Sequence, residues 1–438
     1  MTFLCMLSSA HAQTSPSRVE GPFAGLFGGA SAATHSLDFR GSLFGVYQKV
    51  SVPPELEETS TLDPRFSSSG TFGGASGSLN YIYGRRGSHA FFDVDGHGSI
   101  ADYSVLPEVP QYTVGVSAGT GLFGQLTQKI RYSASASATY SPYYGYAPFS
   151  QSVTGSLDST YLPPQFGFSA RNSSNVGLNT SATLTDQLTR RSSISAVAGW
   201  VRFFVFDDAS RGAQTFSGRV NYNYRVVRNL TVYVGYQLSE THYSDTGDVG
   251  VSQGIDAGFN YAEGLTFRLG RHTTATFYGG VTGARAVDSP THYAVTGRAD
   301  LVHTLGRTWS SSAGYHRSFG FIDLFSQPVL SDSLTGTVAG LVAPRLNSSS
   351  SVGWTRGRVG FGGSNNNLAA TFASSTLTLG VSRRFGLYTQ YVYYRYEVPV
   401  GDFTRFDIPS NLSRHAASVG LTLWVPIFNN ARSRRDSR

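Results

Sequence analysis

Apolar and polar residues alternate one by one along most of this chain. Leu230, Val232, Val234, Tyr236 and Leu238 share one parity, while Thr231, Tyr233, Gly235, Gln237 and Ser239 share the other. A period of two predicts a β-strand with one apolar and one polar face. The preceding segment sets Phe216, Val220, Tyr222 and Tyr224 against Ser217, Arg219, Asn221 and Asn223. The following one sets Val251, Ile255, Ala257, Phe259 and Tyr261 against Ser252, Asp256, Gly258 and Asn260. Near the end, Val419, Leu421, Leu423, Val425 and Ile427 oppose Ser418, Gly420 and Thr422. Such strands often run to about twelve residues or more, whereas globular strands have a mode of about five or six.

The connectors between strands are of two kinds. Short ones, each carrying an arginine or lysine, occur at "GRRGS" (from Gly84), "LTQKI" (Leu126), "LTRRS" (Leu188), "VVRNL" (Val226), "LGRHT" (Leu269), "LGRTW" (Leu305), "PRLNS" (Pro344) and "SRRFG" (Ser382). Longer polar ones fall at 52–70, 103–111, 145–165, 207–213, 244–250, 287–291, 320–330, 362–367 and 400–412. Alternating short turns and long loops is the asymmetry of an outer-membrane barrel, with the short turns on the periplasmic side. Eight short turns and nine long loops predict an all-β fold. It is a transmembrane antiparallel up-and-down β-barrel of about 18 strands, 16–18 by this count, spanning 36–428. A soluble β-helix or propeller would use shorter strands and would not need two connector classes.

Composition adjusts this picture only slightly. Charged residues make up 14% of the 438, and 50 are glycine. That balance fits neither a disordered chain nor a helical membrane protein. No apolar run approaches the roughly 18 to 20 residues of a membrane helix, an absence that a β-barrel shares. Arginine in a tight turn at the membrane edge sits near headgroup phosphates at little cost, whereas on a lipid-facing strand it costs about 2 to 4 kcal/mol at the midplane. Aromatics near strand ends suggest interfacial girdles: Tyr81 and Tyr83, Tyr222 and Tyr224, the group Tyr391, Tyr393 and Tyr394, and Trp424.

At the N-terminus, "MTFLCMLSSAHAQ" has a short apolar core followed by Ala10-His11-Ala12, a small-x-small site suited to cleavage before Gln13. Residues 1–12 are therefore expected to be a signal peptide, truncated at its positive end, and 13–35 a flexible periplasmic lead. The one cysteine, Cys5, lies in the signal, which leaves no thiol for a disulfide framework or a cysteine-based zinc site. Residues 429–438 form a basic tail; with no interleaved aromatics it suggests headgroup contact and not nucleic acid.

The hairpins "GFNYAEGLTFRLGRHTTATFYGG" and "VNYNYRVVRNLTVYVGYQ", with the closing "ASVGLTLWVPIF", resemble the β-barrel porins of Gram-negative outer membranes, especially a group found beside exopolysaccharide biosynthesis genes. The resemblance implies an outer-membrane location among outer-membrane lipids, insertion by the barrel-assembly machinery, and passage of small solutes or polysaccharide. A homo-trimer is one assembly open to such a barrel. Members of that group commonly end on an aromatic assembly signal; here the signal would be internal, ending at Phe428 before "NNARSRRDSR".

The inward set is small and polar, as a water-filled lumen requires. Examples are Arg131, Ser133, Ser135, Ser137 and Thr139, and also Thr113, Gly115, Ser117, Gly119 and Gly121. The candidate pore-lining residues are Asp93, Asp95, His97, Arg131, Arg219, Tyr233, Asp256, Tyr278, Arg298 and Asp300. Facing rows of opposite charge would set a transverse field and a weak ion preference; the alternative is that these residues pair across strands and brace the wall. "DVDGHG" lacks the further acids of an EF-hand loop, so Asp93, Asp95 and His97 are expected on one wall face and not around a metal. His303 and His316 lie on strands, yet nothing in the spacing selects a Ser-His-Asp triad. The sequence therefore predicts no enzyme, no metal and no cofactor. It predicts a channel for small hydrophilic solutes, with polysaccharide export or a non-conducting surface barrel as alternatives. A polysaccharide path would need aromatic platforms, for which Tyr233, Tyr278 and Trp200 are candidates.

Overall fold

The structure, a computed structural model, describes residues 35–51, 70–85, 88–102, 112–141, 144–145, 169–171, 175–205, 212–244, 247–262, 273–286, 290–306, 308–321, 327–360, 366–398 and 411–430. The expected signal peptide, the lead up to residue 34 and the tail beyond 430 lie outside these residues. So do residues 263–272, which hold most of the expected short connector "LGRHT".

Among the described residues, twenty strands follow in order. They are β1 (His35–Ser51), β2 (Gly70–Arg85), β3 (Ser88–Asp102), β4 (Tyr112–Gln125), β5 (Ile130–Ser141), β6 (Tyr144–Gly145) and β7 (Ser169–Arg171). Next come β8 (Asn175–Asp186), β9 (Ser192–Val205), β10 (Gly212–Val227), β11 (Leu230–Tyr243), β12 (Val249–Ala262), β13 (Thr273–Arg285) and β14 (His292–Leu305). The last are β15 (Trp309–Gly320), β16 (Val329–Ala343), β17 (Leu346–Val359), β18 (Asn367–Gly380), β19 (Phe385–Glu397) and β20 (Asn411–Asn430). The short β6 and β7 pair only with each other. The other eighteen form one antiparallel sheet in which each strand pairs with its neighbour in sequence, and β1 pairs with β20 to close it. No helix long and apolar enough to cross a membrane occurs among the described residues. Eighteen strands about 4.8 Å apart, tilted by about 40°, close into a cylinder roughly 36 Å in backbone diameter.

The alternation decides which face is outside. Ile255 is 63% exposed and its neighbour Asp256 8%; Val419 is 62% exposed and Ser418 9%. Large apolar residues hold the exposed parity on strand after strand, among them Leu43, Val234, Val281, Val338 and Leu421. In water such an exterior would be unfavourable by about 25 cal/mol per Å² of apolar surface. An apolar exterior around a polar interior is the architecture of a membrane-spanning β-barrel, which leaves no unpaired edge in lipid.

Two of the expected girdle residues face the other way. Trp424 shares the parity of Ser418 and Thr422, and its indole N–H donates to Asp38 Oδ2 at 3.3 Å on the inner face of the closing seam. Tyr394 is 4% exposed and lies 5.7 Å from Tyr396 on the inward face of β19, whereas Tyr391 and Tyr393 point outward beside His415. The girdle itself is present near the seam, where His35, Tyr81 and Phe428 meet edge to face with His35 to Phe428 at 4.9 Å.

Candidate functional site: a polar belt on one inner wall

Six of the ten candidate residues come together on β10–β14. Arg219 Nη2 lies 2.5 Å from Asp256 Oδ2, so this pair reaches from β10 to β12 over the whole of β11. It can do so because the residue between them is Gly235, paired with Asn221 on one side and Asp256 on the other. A Cβ there would collide with the Asn221 amide and come within 2.9 Å of Asp256 Oδ1. Arg219 Nε also donates to Asn221 Oδ1 at 2.8 Å, and its guanidinium carbon lies 6.0 Å from the Tyr233 ring centre.

The next row continues the belt. Register places Tyr233 opposite Gly258, Gly258 opposite Tyr278, Tyr278 opposite Arg298, and Arg298 opposite His316. Strands about 4.8 Å apart cannot carry large side chains at every position of such a row. Gly258 makes the space between the two tyrosines: a Cβ there would be 2.5 Å from that of Tyr278. Tyr233 and Tyr278 stand 6.4 Å apart at 59°. Arg298 Nε bonds Asp300 Oδ2 on the same strand, two residues on, and Gly314 leaves room for Asp300 opposite.

Sequence reasoning missed three members. Asn221, Gln237 and His316 share the inward parity of their strands, which is the signal that could have found them. Arg219 Nη1 lies 3.5 Å from Gln237 Oε1, a weak contact at the edge of hydrogen-bond range.

The other four candidates lie elsewhere. Arg131 is exposed at the turn end of β5, opposite Gln125 and Thr185, three strands from β10. Asp93, Asp95 and His97 are on β3, opposite Asn80, Ser78 and Ser76 of β2, and their side chains lie outside the described residues. No group of three or more metal-binding side chains exists among the described residues. Trp200 has the lipid-facing parity beside Phe216, so it is not a lumen platform.

The belt has a definite electrostatic character. The Arg219 and Asp256 side chains are 12% and 9% exposed, Arg298 and Asp300 21% and 27%. Both pairs stand on a largely desolvated wall, where opposite charges interact more strongly than in bulk water. They turn alternating positive and negative groups toward the interior along a path from β10 to β14.

The opposite wall, β17–β20 with β1, is built differently. Phe372 lies over Gly353 and Tyr388 over Gly420, where a Cβ would be 2.5 Å from the Tyr388 ring. Phe44, Val46 and Tyr388 form a buried apolar cluster, and Leu368, Tyr396 and Leu412 are equally buried.

No known protein-family model matches this chain, and no characterised protein matches it by sequence. Solved structures of similar shape include Pseudomonas aeruginosa OpdL, 10% identical with a TM-score of 0.45, covering 90% of this chain and 99% of that one. Pseudomonas aeruginosa OccK1 (OpdK) is 10% identical with a TM-score of 0.46, covering 89% and 99%. The siderophore receptor PirA from Acinetobacter baumannii is 8% identical with a TM-score of 0.42, covering 93% and 84%. Likeness at this level carries no argument about function.

Proposed function

We propose that this chain is a channel in the outer membrane of a Gram-negative bacterium, through which small hydrophilic solutes diffuse. One observation carries the proposal. A closed barrel of eighteen strands with an apolar exterior holds, on one inner wall, a continuous belt of charged and phenolic groups from Arg219 to His316. A wall meant only to pack would not need two ion pairs of alternating sign, and a barrel of sixteen to eighteen strands is wide enough for water. The belt supplies weak selectivity by ordinary electrostatics at close range. Insertion by the barrel-assembly machinery would use β20 as the signal-bearing strand, ending at Phe428, whose ring packs on His35 at the seam. Membership of the exopolysaccharide-associated group rests on the resemblance of the hairpins alone, and the placement of Trp200 on the lipid side weakens a polysaccharide path.

Single-channel conductance of the refolded protein in a planar bilayer tests the proposal. Steady, ohmic current is expected. A correctly folded but silent barrel would overturn the channel and bring polysaccharide export or a surface role forward.

A further inference from the structure

Arginines stand on the lipid-facing side of the barrel at its long-loop end. Down the outer wall from that rim, β17 presents Arg358, Arg356 and then Trp354, and β19 presents Glu397, Arg395 and then Tyr393. Arg356, Arg358 and Arg395 are exposed. Between the two strands, β18 contributes Asn367, opposite Arg358, Ala369, opposite Arg356 and Glu397, and Thr371, opposite Trp354 and Arg395. Three guanidinium groups thus flank a floor of three uncharged side chains, Asn367, Ala369 and Thr371, about 10 Å across from β17 to β19.

The charges there do not cancel. Arg395 holds Glu397 at 2.5 Å, and Arg317 on β15 holds Asp332 of β16 at 3.3 Å. Arg356 and Arg358 form no ion pair among the described residues, which leaves an excess of positive charge on this side. The wall at β9–β11 differs: Arg202 lies 5.8 Å over Phe204, and Glu240 meets His242 at 2.7 Å.

Guanidinium forks bind phosphate oxygens two at a time. Aromatic residues such as Trp354 and Tyr393 mark the interface between acyl chains and headgroups. A phosphate carried by a lipid would seat just above that line, between the arginines and over the uncharged floor. We infer that Arg356, Arg358 and Arg395 cradle the phosphate of a phosphorylated lipid headgroup in the outer leaflet, an inference that rests on the membrane placement proposed above.

Native mass spectrometry of the detergent-purified protein tests it, with diphosphoryl lipid A and its dephosphorylated form as probes. At least ten-fold greater retention of the phosphorylated lipid is expected. The double variant R356A/R358A should lose that preference ten-fold or more, R356K/R358K should keep part of it, and R202A on the far wall should keep all of it. Equal retention of the two lipids by the unaltered protein, or an undiminished preference in R356A/R358A, overturns the cradle. Normal conductance without lipid preference would sink the cradle alone. Lipid preference in a silent barrel would sink the channel and leave the cradle standing.

Discussion

At Gly235 and Gly258, midway along the β10–β14 wall, the side chains that lie across a glycine are charged or phenolic, while toward the long-loop rim of the same wall Phe321 covers Gly250 within an apolar cluster. At Gly353 and Gly420 of the β17–β20 wall they are the rings of Phe372 and Tyr388, the latter packed on Phe44 and Val46. Gly235 and Gly258 let Arg219, Asp256 and Tyr278 spread sideways, and Gly353 and Gly420 do the same for Phe372 and Tyr388. One device, a missing Cβ on the neighbouring strand, therefore serves two ends. The first wall keeps polar groups turned toward the interior, and the second fills its own surface. The comparison teaches that the inner face of a wide barrel can be divided along its circumference, with a belt of ion pairs and an apolar packing surface carried by different strands.

That division can be broken from either side. The largest effect is expected at the seam, where Asp38 is buried and Arg40 Nε meets its carboxylate at 3.1 Å. Arg40→Leu takes the cation away from that carboxylate and leaves it the Trp424 N–H, so urea unfolding of the refolded barrel in vesicles should show a loss of about 3–5 kcal/mol. The channels that do fold should keep their ion selectivity. Gly235→Leu attacks the polar wall instead: a loss of about 1–3 kcal/mol is expected from overpacking, together with altered selectivity as Arg219 and Asp256 are forced apart. Unchanged selectivity in a folded Gly235→Leu barrel would mean that the belt does not sense ions.

A finer test uses sign. Asp256→Asn leaves the Arg219 cation uncompensated and should shift the reversal potential toward anions, whereas Arg219→Gln should shift it toward cations. Each change is on the order of 1 kcal/mol, about five-fold in permeability ratio. Shifts in the same direction, or none, would reassign the pair to bracing. The smallest effect is expected at Tyr388→Phe, which removes a hydroxyl with no hydrogen-bond partner among the described residues. Stability should move by less than about 0.5 kcal/mol and conductance not at all; a large change in current would bring the second wall into the conducting path.

The alternation that makes this a barrel is plain in the sequence, because a period of two survives along each strand whatever its partners are. The inward parity of Arg219, Tyr233, Asp256, Tyr278, Arg298 and Asp300 is legible for the same reason. Their meeting is not, because proximity across a sheet depends on register, and register depends on turn geometry and bulges. The two-residue turn at 228–229 together with the bulge between Arg225 and Val227 sets Asn221 against Gly235, and only then does the glycine become the gap that Arg219 reaches across. Trp424 and Tyr394 illustrate the opposite error. Each sits in a local run of apolar or aromatic residues that suggests a girdle, and parity relative to Val419 and Tyr388 overrules it. The shift in pairing at Leu37 and Asp38, which skips Ile427, is invisible in either strand alone.

The seam between β1 and β20 bears on the order of events in assembly. Every other strand pair in the barrel joins neighbours along the chain, but the Asp38–Trp424 bond spans 386 positions. By loop-closure entropy alone, bringing those ends together costs about 4 kcal/mol more than closing a four-residue hairpin. Until then the hairpins make an open ribbon with two bare edges, each a template for stray pairing with another chain. Seventeen ladder partners along β1 and the unusual length of β20 supply one long, late zipping step. The cell must therefore hold the ribbon apart from its copies until its last strand reaches its first.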